Sequence, residues 1–159
     1  MPTAYIETTI PSYYVARPSS SLIQAARQAS TRKWWDEGCT GFELFTSQET
    51  LDEVGRGDHS LSKDRLALLK SMKVLEITDE VSALTKNLLS SQLVPAKAAS
   101  DAIHIAVASV HSMDFLVPWN IKHIGNAHIR ARLRATVANL GATLPVICTP
   151  EELLNDEND

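Results

Sequence analysis

Short apolar runs alternate with longer helix-patterned stretches along nearly all of this chain, and that alternation leaves few folds open. The apolar, β-branched run at residues 3–9 reads as a first buried strand, stopped by Pro11. Further strands are expected at 42–46, 73–77, 115–117 and 146–148. Helices are expected at 22–37, ended by Gly38, and from Ser47, as cap, to Gly55 or Gly57. Others are expected at 60–71, 79–93 with Asp79 as N-cap, 98–112, and 121–140 closed by Gly141. Residues 12–21 read as a loop or broken helix, and Thr149-Pro150 opens a last helical turn. Strands that alternate with helices predict an α/β fold, a sandwich with a mostly parallel central sheet flanked by helices.

The length of 159 residues predicts one domain, here 1–154, followed by an acidic tail at 155–159. A net charge of −4 gives no whole-protein basic field, so any nucleic-acid binding must come from a local patch or a bound metal. Cys39 and Cys148 form no CxxC or CxxH pattern and fit buried thiols in a reducing compartment. The start, Met1-Pro2-Thr3-Ala4, lacks the features of a signal peptide, and no apolar run approaches the ~18 residues of a membrane span. A cytoplasmic protein is expected.

Three acids stand out against this apolar background. Glu7 lies inside the first run, Glu53 in the helix after the second strand, and Asp101 opens the apolar stretch Ala102-Ile103-His104-Ile105-Ala106-Val107-Ala108. Carboxylates are seldom buried unless paired or metal-bound. In open parallel sheets, sites form outside the carboxyl ends of the strands. Glu7 and Asn120 fall at such ends, and Asp101 and Glu53 join them from helices. Converging oxygen donors suit a hard cation, Mg²⁺ or Mn²⁺. No HExxH, Cys/His ligand spacing or GxxxxGK[ST] loop is present, which argues against a zinc protease and a P-loop hydrolase. Phosphodiester hydrolysis by metal-activated water is the natural chemistry. The alternative is that Glu53 sits on an exposed helix face and Glu7 bonds nearby backbone.

Four segments in order carry a resemblance. They are Tyr5-Ile6-Glu7-Thr8-Thr9, then Ser47-x-x-Thr50-x-x-Glu53, then Ser100-Asp101-Ala102-Ile103-His104-Ile105-Ala106, then Phe115-Leu116-Val117-Pro118-Trp119-Asn120-x-Lys122-His123. Together they resemble a PIN domain, and in particular the toxin ribonucleases of VapBC toxin–antitoxin pairs. The resemblance implies a three-layer sandwich and a Mg²⁺- or Mn²⁺-dependent endoribonuclease acting on single-stranded RNA. It implies Glu7, Glu53 and Asp101 as metal-binding and catalytic acids. Asn120 falls on the family's fourth polar site, with Lys122 and His123 as substrate contacts. It also implies a small antitoxin protein as partner and a homodimer.

The chain departs from the family pattern at three points. Glu7 stands where Asp is usual. At the fourth site Asn120 stands where some members have Asp, with His123 three residues on where others have theirs, and Pro118 stands where a small hydroxyl residue is common. These departures leave open a catalytically weakened PIN fold that binds RNA or protein, and a different metal-dependent phosphohydrolase.

Several other residues admit two readings. His104 and His111 are read as histidines bonded at a helix surface, with a proton shuttle or auxiliary ligand as the alternative. Lys122, His128, Arg130, Arg132 and Arg134 make residues 121–140 the most cation-rich stretch, either an RNA or partner contact or a solvated face. Trp34 and Trp35 point about 100° apart on a helix; both rings packed within the fold is the expected reading, with one ring exposed to support an interface as the alternative. Trp119 either stacks on a base or packs beneath the site.

Overall fold

The computed structural model describes residues 1–56, 59–119 and 127–154. Five parallel strands form one sheet: β1 (Thr3–Ile6), β2 (Glu43–Ser47), β3 (Lys73–Leu75), β4 (Phe115–Val117) and β5 (Val146–Ile147). Their spatial order is β3-β2-β1-β4-β5, with β1 at the centre. The register sets Tyr5 beside Phe45 on one side and Leu116 on the other.

Alternation along β1 explains the layers. Ala4, Tyr5 and Ile6 are all fully buried, as expected of a parallel strand covered on both faces. Tyr5 and Leu116 pack with α5 (Asp79–Ser90), α6 (Ala99–Val110) and α7 (Ala127–Asn139), through Leu84, Leu88, Ile105 and Leu133. Ala4, Ile6 and Val117 face the other way. They meet Ile10 of α1 (Thr9–Val15), Val54 of α3 (Gln48–Gly55) and Leu69 of α4 (His59–Leu69), together with Trp34. Two apolar clusters on opposite faces of one sheet make the expected three-layer α/β sandwich.

The local differences from the sequence reading have physical causes. The first strand ends at Ile6 rather than residue 9, and α1 occupies part of the stretch read as a loop. Pro11 does not block this helix. It sits in the first turn, where its missing N–H would have no intrahelical acceptor. The helix expected at 22–37 is α2 (Leu22–Lys33), which relaxes into a π turn at Trp34–Gly38. Gly38 is required there, because a Cβ at this position would lie 2.9 Å from Cδ1 of the buried Trp34 ring. Of the tryptophan pair, Trp34 is core and Trp35 is partly exposed.

The cap of α5 is Thr78, not Asp79: its Oγ1 accepts from Val81 N at 3.3 Å. Gly141 closes α7 with φ +78°, as its placement after the helix predicts. The start of the helix expected at 121–140 lies outside the described residues. Among the described residues, no helix is long and apolar enough to cross a membrane.

Candidate active site

The chain leaves β1 toward β2 and later returns to the opposite side of β1 as β4. Strand order therefore switches at β1, and in such sheets the carboxyl ends of the strands on either side of the switch, here β1 and β4, are where a crevice is expected. Glu7 is the first residue past β1, and Trp119 is the second past β4. Glu7 is only 6% exposed. Its Oε1 accepts from Thr9 N at 2.6 Å and from the Thr9 hydroxyl. Thr9 Oγ1 in turn accepts from Trp119 N at 2.9 Å, so one hydroxyl ties the two strand ends together.

Helix α3 brings the second acid. Ser47 begins this helix by its extended backbone, but its hydroxyl does not cap it. The Ser47 Oγ instead bonds Tyr5 Oη at 2.6 Å in the core. Glu49 and Glu53 are four residues apart on α3 and share a face. Glu53 Oε1 accepts from Thr8 Oγ1 at 2.8 Å and lies 2.5 Å from His104 Nε2. Glu49 Oε1 accepts from Ser100 Oγ at 2.5 Å. These bonds join the turn after β1, the helix after β2 and the start of α6. Asp101 is half-buried in the first turn of α6, three residues before His104.

His104 is not at a helix surface, contrary to the sequence reading. It is 3% exposed and engaged through both ring nitrogens: Nδ1 lies 2.6 Å from Tyr5 Oη, and Nε2 faces Glu53. Helix α6 is apolar all round, so a histidine within it turns inward with the rest of the face. The second histidine of the pair behaves differently: His111 Nε2 sits 2.8 Å from Glu76 O.

The charges respond to one another. Burial pushes the Glu7 carboxyl up from 4.5 to about 7, although the nearby His104 charge and the Thr9 hydrogen bonds oppose this. Burial also raises Glu53, but the His104 hydrogen bond and charge, with Thr8, outweigh it and hold Glu53 below the ordinary carboxylate range. For His104 burial favours the neutral ring. The Glu53 hydrogen bond and the charges of Glu7, Glu53 and Glu49 prevail and raise its pKa. Tyr5 is driven upward by burial and remains a phenol. With His104 charged, Nε2–H donates to Glu53, Nδ1–H donates to Tyr5, and the Tyr5 hydroxyl donates onward to Ser47.

This chain matches the PIN domain family over residues 5–117, most of its length. The chain belongs to the PIN domain family. Comparison with curated proteins finds no match. PIN domains are generally nucleases and typically bind divalent metal ions.

The donors can be tested against that habit of PIN domains. Among the described residues, no three His, Cys, Asp or Glu side chains converge as one coordination shell. The oxygen chemistry nevertheless fits a hard cation. The Glu53 charge raises Glu7 further, so a cation beside the two carboxylates would relieve both burial and repulsion at Glu7. Mg²⁺ needs only one or two carboxylates, because it keeps several waters and takes substrate phosphate as a further ligand. Glu7 and Glu53 suit that role, with Asp101 on the adjoining turn. Asn120, Lys122 and His123 lie outside the described residues.

Tyr5, Thr8, Thr9, Glu49, Ser100 and His104 are bonded into the same network as Glu7 and Glu53 or beside it, and a reading based on the acids alone does not single them out. The signals were present but weak. Glu49 and Glu53 have helical i, i+4 spacing, and His104 is the one titratable side chain inside the apolar run that follows Asp101.

Proposed function

We propose that this PIN domain is a Mg²⁺- or Mn²⁺-dependent endoribonuclease that hydrolyses phosphodiester bonds of single-stranded RNA. One observation carries the reading. Glu7 is a buried carboxylate at the sheet's switch point, its pKa raised by burial and also by the charge of Glu53. Such a carboxylate gains most from a cation beside it.

Glu7, Glu53 and Asp101 would hold the metal, directly or through water. The metal would supply a nucleophilic water and polarise the phosphoryl oxygen. The protein's own part is orientation. His104 fixes the Glu53 carboxylate, Thr9 fixes Glu7, and the crevice between β1 and β4 admits the backbone. Asn120 would orient a water or phosphate oxygen, and Lys122 and His123 would contact phosphate.

The biological setting we propose is the toxin half of a toxin–antitoxin pair. It would be a cytoplasmic homodimer, one domain over 1–154 with an acidic tail at 155–159, and a small antitoxin protein would block the crevice.

Asp101→Asn tests the site at nearly constant volume. Calorimetric titration with Mn²⁺ and cleavage of end-labelled single-stranded RNA should both show losses beyond the roughly 10- to 100-fold that an outer-shell partner costs. Unchanged Mn²⁺ affinity in the folded variant refutes the assignment of Asp101.

A further inference from the structure

We propose that Tyr13, Arg27 and Trp119 form a subsite that stacks one nucleobase of a single-stranded RNA beside the carboxylates. The inference deepens the nuclease reading above and rests on it, but the two fail in different experiments.

Trp119 is partly exposed and held at both ends. Its backbone N–H donates to Thr9 Oγ1 at 2.9 Å, and Thr9 bonds Glu7. Its indole Nε1–H donates to the buried Thr31 Oγ1 at 2.7 Å, and Thr31 donates to Arg27 O at 2.6 Å. The ring therefore has a set orientation, one hydroxyl away from the first acid of the site. Tyr13, also partly exposed, meets it at a centroid separation of 6.1 Å and an interplanar angle of 63°. The two rings make an L-shaped corner. The Arg27 guanidinium lies 5.6 Å from the Trp119 ring centroid and donates to Tyr13 Oη at 3.4 Å.

The chemistry of the corner suits a base better than it suits a phosphate. The protein carries a net charge of −4, and Glu7, Glu49 and Glu53 all act on His104, so without a bound cation a phosphate beside them meets repulsion. A π-face avoids that repulsion, because stacking depends little on charge and every base offers one. The indole N–H is already taken by Thr31 and part of the ring packs against the core, so what Trp119 can offer a ligand is the remaining ring surface. Arg27 adds a cation able to lie over a ring. Bases in a duplex are already stacked on their neighbours, so this corner selects single strands.

The test compares a 12-nucleotide oligouridine with an abasic strand of the same sugar–phosphate length. Binding is followed by fluorescence anisotropy in EDTA, so that no cleavage is needed. The parent should prefer the base-bearing strand by between about 5-fold and 150-fold, the value of one stacked base. Trp119→Leu should bring the two strands to within about 2-fold of each other, and Trp119→Phe should keep most of the preference. Tyr13→Leu, which leaves the Thr31 anchor intact, should lose part of it and serves if Trp119→Leu folds poorly.

Equal binding of both strands by the parent, or no binding of either, overturns the subsite. So does an undiminished preference in Trp119→Leu, which would leave the corner to a protein partner. A parent that prefers bases yet cleaves no RNA with Mn²⁺ overturns the nuclease reading and upholds the subsite.

Discussion

Replacing Glu7 with Gln should stabilise the metal-free protein at alkaline pH. The side chain is 6% exposed, and burial lifts its pKa from 4.5 to about 7. A folded-state pKa above the unfolded one means that the fold favours the protonated acid. The stability this confers is complete below pH 4.5 and is lost as pH rises through 7. Across that window the parent should lose roughly 3 kcal/mol, from 1.36 kcal/mol for each unit between the two values.

Glutamine keeps an oxygen for Thr9 and cannot ionise. Glu7→Gln should therefore exceed the parent by about 3 kcal/mol at pH 8 and by less than about 1 kcal/mol at pH 4.5. Urea unfolding followed by circular dichroism at the two pH values measures both differences. A second arm adds Mn²⁺: at about 100 times its dissociation constant, the parent should gain about 2.7 kcal/mol and the variant far less. If Glu7→Gln is no more stable than the parent at pH 8, the charge on Glu7 is already compensated by Thr9 and His104. The electrostatic argument for a cation would then fail.

Two further outcomes test the frame around the site. Tyr5→Phe removes the hydroxyl that meets Ser47 and His104 in the core and should cost about 1–3 kcal/mol in urea unfolding; a loss under about 0.5 kcal/mol would show that the buried network contributes nothing. Gly38→Ala places a methyl 2.9 Å from the fully buried Trp34 ring and should cost about 1–3 kcal/mol, whereas an unchanged melting temperature would mean that the π turn yields without strain.

The three-layer architecture was legible because strands buried on both faces leave dense apolar runs, and residues 4–6 and 115–117 are such runs. Boundaries were less legible where one residue type obeys two rules. Thr8 and Thr9 have strand propensity, yet their hydroxyls are used by Glu53 and Glu7 at the start of a helix. Ser47 is a fitting cap by type, but a core tyrosine takes its hydroxyl. The acids could be nominated because charge is costly inside apolar segments. His104 could not be placed, since its partners are 51 and 99 residues away and no local pattern records such distances.

The central position of β1 has a consequence for synthesis. The strand is made before its two neighbours: Thr3 pairs with Glu43, and Ala4 with Phe115. The Thr9–Trp119 hydrogen bond spans 110 residues. At about 5–20 residues per second, a ribosome needs between about 5 and 20 s to bridge that span. During the interval Glu7 has left the ribosome without the β4 side of its crevice. The carboxylates thus meet their full surroundings only after β4 has emerged. Pairing over such separations is also slow in its own right, because the loop must close before the contact rewards it. Whatever chemistry the crevice performs, a newborn chain starts without it.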